Sequence, residues 1–315
     1  MNRAWLQLFR VPNLPTAAGD AVAGAALVLA LRGPAPGAVA AALAAGAAEL
    51  LFYMAGLADN DLVGAATDSP RDRPIPAGRL TVRAVRAARL LCVMAAAAVG
   101  AAARLPPVWW AVAAALVALI AFYNRAKDRF LFVGRFAMGA CRGVALLSGA
   151  AAVSAAPFVG PPAPFPVPPL PLALAMAFLS WTIYIAAVTR LGEDEERASG
   201  PAGFSRLALF ATIAFHPAFA TVAFSSTAMP TAGRVAAGLC LVWVFLNVCL
   251  AVAPLVRPHG PAERRRAVGR TIGGLFWMQL GLICLFPHPA FLAFAGGCFA
   301  VRLLIRSLVP SVSGS

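Results

Sequence analysis

Apolar runs of about 20 residues, the length that crosses a bilayer core as α-helix, recur from one end of this chain to the other. Ten can be read, at 15–31, 38–58, 82–103, 107–123, 132–153, 170–189, 204–225, 232–255, 268–286 and 289–306. Pro and Gly punctuate the gaps, as in Gly33-Pro34, Pro106-Pro107 and Pro161-Pro162, and the stretch from Ala156 to Pro171 is Pro-rich and uncharged. A soluble domain carries about a quarter of its residues as charges; here 12% are charged and 61% are hydrophobic. A membrane β-barrel would show short segments of alternating polarity, and the long Ala/Leu/Val/Gly runs do not alternate. The chain therefore reads as an all-α, polytopic transmembrane helix bundle of nine to ten spans. It forms one domain over residues 1–308, with a short tail at 309–315.

The formal charge of +14 would suggest a nucleic-acid partner in a soluble protein. Here the basic residues fall between the apolar runs and form no patch interleaved with aromatics, so no nucleic acid is expected. With the N-terminus placed in the cytoplasm, 22 of the 26 basic residues fall on cytoplasmic loops and ends. Only Arg32, Arg104 and Arg234 fall outside, and Arg142 lies within a span. That asymmetry predicts a multi-pass protein of the cell (inner) membrane, with the motif loops and both termini cytoplasmic. Arg3 and Arg10 ahead of the first apolar run resemble a signal peptide, but Asp20 and the spans that follow make it an uncleaved first helix. The six cysteines all lie in apolar runs without a CxxC pair and read as small core residues.

The chemistry-bearing residues concentrate at the cytoplasmic end of the second span. From Leu57 to Arg79 the chain carries Asp59, Asn60, Asp61, Asp68, Asp72, Arg71, Arg73 and Arg79 around Pro70, Pro74 and Pro76. Asp61 and Asp68 are seven residues apart, a spacing that predicts one shared helix face. Carboxylates so placed can hold Mg²⁺, which in turn holds a diphosphate, and the arginines that follow suit phosphate oxygens. Tyr123 and Lys127 stand at the end of the fourth span, and Lys127 is the only lysine in the chain. Arg142 is the most deeply placed charge of the chain; a lone arginine at mid-bilayer costs roughly 2.5–3.5 kcal/mol on insertion scales. It needs either a buried carboxylate or a phosphate. Glu49, mid-span and on the face of Asn60, either looks into the same cavity or pairs with Arg142. Asn13, Thr16 and Asp20 form a polar stripe on the first helix. His216, Asn247 and Gln279 read as helix–helix hydrogen-bonding residues.

These motifs resemble those of the UbiA superfamily of membrane prenyltransferases, which carry N-D-x-x-D-x-x-x-D on the second helix followed by R-P-[LI]-P-x-G-R. Asn60, Asp61, Asp68 and the run from Arg73 through Gly78-Arg79 match, while Gly64 stands where the family has its middle Asp. Tyr123 and Lys127 match the family's Y-x-x-x-K. At the family's second acidic motif, D-x-x-x-D, this chain has Thr189 and Glu193, with Thr182 on the same face and Tyr184 nearby. The run from Met138 to Gly143, and Arg10-Val-Pro-Asn13 with Asp20, resemble the EboC-like branch.

The resemblance implies an enzyme that moves an isoprenyl group from a polyprenyl diphosphate to a small acceptor with Mg²⁺, in contact with membrane lipid. It implies Asp61, Asp68 and Glu193 as metal ligands and catalytic groups, with Tyr123 and Lys127. Arg73, Arg79, Lys127 and Arg142 are implied as diphosphate contacts, and Asn13, Asp20, Asn60, Thr189 and Glu49 as further substrate contacts. With two acidic positions replaced, the alternative is a non-catalytic relative that binds or moves a lipid or amphipathic metabolite.

Overall fold

The computed structural model describes residues 3–66, 73–127, 129–156, 170–196, 231–253 and 261–308. They form ten α-helices and no strand. In chain order the helices are α1 (Arg3–Leu8), α2 (Leu14–Arg32), α3 (Ala38–Val63), α4 (Val82–Ala102), α5 (Pro107–Ala126), α6 (Leu131–Ser154), α7 (Leu170–Glu196), α8 (Thr231–Val252), α9 (Pro261–Leu285) and α10 (Pro289–Leu308). Eight of them, α2 to α9, are long and apolar enough to cross a membrane; α10 is apolar over the shorter segment Pro289–Leu304. Nine of the ten expected spans thus coincide with helices. The tenth, at 204–225, lies outside the described residues, as do His216 and most of the Pro-rich stretch.

Local sequence sets the ends. Thr81 caps α4 by accepting the backbone N–H of Ala84 at 3.2 Å, the usual use of a hydroxyl at an N-cap. Pro107 opens α5 where its missing N–H costs nothing. The α-helical geometry expected to run from Asp61 toward Asp68 ends at Val63, where α3 passes into a 3-10 turn over Gly64–Ala66. Glycine is about 1 kcal/mol poorer than alanine within a helix, and Gly64 is where the ladder changes. Asp68 itself lies outside the described residues.

The helix α2 is the axis of the bundle. Every residue from Pro15 to Ala30 is buried, against α3, α6, α9 and α10. Apolar clusters wrap it: Leu27, Leu146, Trp181 and Leu282 on one side, Val28, Val153, Ile283 and Phe291 on another. Small residues bring the backbones together, as in other membrane bundles. A Cβ on Gly24 would collide with the carbonyl of Leu146, and one on Gly149 with the carbonyl of Ala21. The outer faces carry the opposite signature. On α8, Val235, Leu239, Val242, Leu246 and Leu250 are all exposed at helical spacing, a stripe suited to lipid.

Candidate functional site

The motif residues gather where α3, α5 and the segment entering α4 meet. Lys127, just past α5, donates its Nζ proton to Oδ1 of Asn60 on α3 at 2.6 Å. Arg73 Nη1 meets Oδ1 of Asp61 at 2.7 Å; Asp61 is 2% exposed. Asp59, one step around α3, is held on both oxygens. Arg89 of α4 binds one at 2.6 Å, while Asn124 and Arg125 of α5 bind the other at 2.9 and 3.5 Å. Asn124 also donates to the carbonyl of Gly56 at 3.1 Å. Asp59, a spare carboxylate in the sequence, is therefore committed to locking α3, α4 and α5. Four basic side chains, Arg73, Arg89, Arg125 and Lys127, thus converge on the consecutive residues Asp59, Asn60 and Asp61.

Arg73 is positioned by a folded loop. Pro74 accepts the N–H groups of Arg79 and Leu80 at 2.9 and 3.2 Å, and Ile75 accepts that of Gly78 at 2.9 Å. The φ of +68° at Gly78 is one a side chain disfavours. Leu80 then plugs into an apolar cluster with Leu8, Ala58 and Val85. The Pro and Gly of R-P-I-P-A-G-R thus build a rigid turn that aims Arg73 inward and leaves Arg79 exposed. Tyr123 is half-buried and packs among Phe52, Trp109 and Leu116.

A second polar cluster lies deeper. Arg142 on α6 pairs through Nε with Oδ2 of Asp20 on α2 at 2.8 Å, and its Nη2 donates to the carbonyl of Thr16 at 2.8 Å. The other Asp20 oxygen accepts from Trp181 of α7 at 2.8 Å and from Gln279 of α9 at 2.5 Å. Gln279 also reaches the Thr16 carbonyl at 2.7 Å. Four helices therefore meet at one carboxylate that is 0% exposed. The guanidinium of Arg142 stands 5.8 Å above the ring of Tyr53 on α3. This corrects two expectations. The carboxylate that neutralises Arg142 is Asp20, not Glu49, and Asp20 faces no open cavity. Glu49 is nearby and 4% exposed, with Oε2 lacking any hydrogen-bond partner.

The remaining residues are more scattered. Asn13 precedes α2, and its carbonyl accepts the Thr16 hydroxyl at 2.7 Å. The Thr189 hydroxyl turns back on its own helix to the carbonyl of Ile185 at 2.9 Å. Tyr184 donates its hydroxyl proton to the carbonyl of Thr271 on α9. Glu193 falls in the last turns of α7, but its side chain lies outside the described residues. Sequence reasoning missed Arg89, Asn124, Tyr53 and Trp181. Asn124 was findable, as a lone amide beside Tyr123 near a triplet of acidic and amide residues.

The sequence profile of the UbiA prenyltransferase family matches residues 20–280. The chain belongs to that family. A solved structure described as giving insight into digeranylgeranylglyceryl phosphate synthase in membranes shares the fold of this UbiA protein, with a TM-score of 0.58 at 13% identity. The match covers 91% of this chain and 99% of that one. No curated protein sequence matches. The protein is thus a membrane-embedded UbiA prenyltransferase relative. The hard oxygen donors of Asn60 and Asp61 are of the kind Mg²⁺ takes. Among the described residues no three Asp, Glu, His or Cys side chains converge on a point; the expected partners Asp68 and Glu193 are the ones whose side chains are not described.

Proposed function

We propose that this UbiA protein transfers an isoprenyl group from a polyprenyl diphosphate to a small acceptor, at the end of the bundle where Lys127 meets Asn60, and that it belongs to the EboC-like branch. The 2.6 Å contact between Lys127 and Asn60 carries the reading, because it joins two motifs 67 residues apart. Arg73 and Lys127 are placed to donate to the leaving diphosphate as its charge develops, and fixed donors act most strongly in a site shielded from water. The C1–O bond of the donor breaks, the acceptor's nucleophile bonds to C1, its proton leaves, and diphosphate departs. In this reading Tyr123, one helical turn before Lys127, would assist at the site, Asn13 and Thr189 would contact the acceptor, and Arg79 would serve the diphosphate from the exposed rim. Mg²⁺, when bound, supplies further neutralisation of the diphosphate, and Asp61, Asp68 and Glu193 would hold it. Arg142 is better read as part of the bundle's interior than as a diphosphate contact, because Asp20 occupies it.

Thermal unfolding with inorganic pyrophosphate or geranyl diphosphate tests the site. Protection should require Mg²⁺ and should weaken at least about tenfold in Asp61→Asn or Lys127→Gln, the loss of one charge-assisted contact. Labelled geranyl diphosphate should then be consumed with one member of a panel of phenolic, cyclitol and sugar-phosphate acceptors. Mg²⁺-dependent protection without product from any acceptor would favour the carrier alternative. Protection indifferent to both Mg²⁺ and Asp61→Asn would remove the diphosphate site.

A further inference from the structure

An open groove of about 330 Å³ lies where α5 gives way to α6, lined by Ala121, Phe122, Arg125, Ala126, Arg129 and Phe130. Phe122 and Arg125 are three residues apart on one helix face, and Arg129 comes round beside them in the turn after the helix. All three are exposed. The turn itself is well braced. Arg129 and Phe130 donate their N–H groups to the Ala126 carbonyl at 3.1 and 2.8 Å, and Gly134 donates to the Phe130 carbonyl at 2.8 Å. Gly134 is packed so tightly that a Cβ there would fall 2.7 Å from the Cα of Lys127.

Two guanidinium groups thus stand over a groove whose other walls are apolar. Arg125 is the most distant of the three groups on Asp59, at 3.5 Å against 2.6 Å for Arg89 and 2.9 Å for Asn124. Asp59 therefore keeps its two closer partners if Arg125 turns outward. Arg129 lies with its Cζ 5.4 Å above the Phe130 ring. Asp128 is the one acid between Ala121 and Arg135, against Arg125, Lys127, Arg129 and Arg135, so the segment is net positive. Away from the cations the groove runs onto lipid-facing surface. Phe122 is 49% exposed, and Ala118 and Ala114 are exposed at the preceding helical turns.

We propose that this groove binds one anionic phospholipid, its phosphate between Arg125 and Arg129 and an acyl chain along Phe122 and the alanines before it. Guanidinium forks match phosphate oxygens. A water-soluble anion would satisfy the arginines and leave the apolar wall uncovered, whereas a phospholipid covers both. A zwitterionic headgroup brings its own cation to two fixed ones and loses much of the attraction. Each basic residue near the membrane surface favours anionic lipid by about fivefold. The site is separate from the diphosphate site proposed at Lys127 and Asn60, which uses neither Arg125 nor Arg129.

The test uses the purified protein in one non-ionic detergent. Its probes are short-chain phosphatidylglycerol, phosphatidylcholine with the same chains, and glycerol phosphate, each read as the concentration giving half-maximal thermal protection. Phosphatidylglycerol should act at least about tenfold below phosphatidylcholine, the product of two such contacts less some loss to detergent. Arg125→Ala combined with Arg129→Ala should bring it to the phosphatidylcholine level. Arg83→Ala combined with Arg86→Ala removes the same charge from exposed positions on α4 and should leave the preference intact. Should the first pair fail to fold, Arg129→Ala alone carries the test, with about a fivefold weakening expected. Equal protection by the two lipids overturns the proposal, as does an equal loss in the α4 pair. Glycerol phosphate as effective as phosphatidylglycerol would make this a site for free anions and sink the lipid. Displacement of phosphatidylglycerol by Mg²⁺ and inorganic pyrophosphate would place the lipid in the diphosphate site, which overturns the groove and leaves that site standing.

Discussion

Replacing Arg142 with leucine should be among the most damaging single changes in this protein. The guanidinium stands 2.8 Å from Asp20 and donates at 2.8 Å to the Thr16 carbonyl. At that distance and an effective dielectric of about 20, the pair attracts by about 6 kcal/mol. Removing one partner of a buried pair typically costs about 3–5 kcal/mol, because the other charge is stranded. Losing the Thr16 bond adds about 0.6 kcal/mol, the average for such bonds within membranes. A loss of about 4 kcal/mol is expected for Arg142→Leu. Adding Asp20→Asn should restore about 2 kcal/mol, since the stranded charge is gone while the amide oxygen still accepts from Trp181 and Gln279. Adding Glu49→Gln instead should restore under about 1 kcal/mol, because Glu49 makes no direct contact with the guanidinium. Unfolding by SDS in mixed micelles gives the four stabilities of each cycle, and Trp181 reports on the hub by fluorescence. Additivity of Arg142→Leu and Asp20→Asn to within about 0.5 kcal/mol, or better rescue by Glu49→Gln, would refute the pairing.

The close approach of α2 and α6 predicts that Gly24→Ala costs about 1–3 kcal/mol by overpacking against the Leu146 carbonyl. Gly192→Ala on α7, which meets nothing within 4 Å, should be neutral or stabilising by up to about 1 kcal/mol; thermal melts of the pair decide it. Asn124→Ala should destabilise by about 1–2 kcal/mol because it strips a buried donor from Asp59. Arg125→Ala should cost less than about 0.5 kcal/mol, its side chain being 58% exposed and 3.5 Å from the same carboxylate. If the two variants melt alike, Asp59 is not the lock described. Reporter fusions after Lys127 and Ser315 should read cytoplasmic and one near Pro162 external; the reverse pattern would overturn the orientation drawn from the basic residues.

The spans were legible because about 20 apolar residues in a row have few other fates, and helices stand at nine of the ten places read. The meeting of Lys127 with Asn60 was legible only through the family resemblance, since nothing local to either residue points to the other. The partner of Arg142 was not legible at all. Glu49 and Asp20 are both acids within spans, and choosing between them requires the rotation of each helix about its axis. An amphipathic helix announces that rotation through its polar face, but α2 is buried on every side and has none. The end of α3 was hidden for a different reason. A seven-residue spacing carries no information on where the helix stops, whereas a glycine at position 64, about 1 kcal/mol poorer than alanine within a helix, stands where the helix gives way to the 3-10 turn.

The central place of α2 bears on how the chain is made. Its span leaves the ribosome before those of its partners, yet its carboxylate is completed by Gln279, 259 residues later. Until α6 is inserted, Asp20 has no cation, and until α9 is inserted it lacks its last donor. Membrane domains of this size assemble stepwise, and half-made species expose what the finished fold hides. A nascent chain ending after α5 therefore holds a naked acid in hydrocarbon with its small-residue groove uncovered. Such an intermediate needs a hydrated or protein-lined shelter at the insertion site, and crosslinking of stalled chains through position 20 should find one that disappears once α9 has emerged.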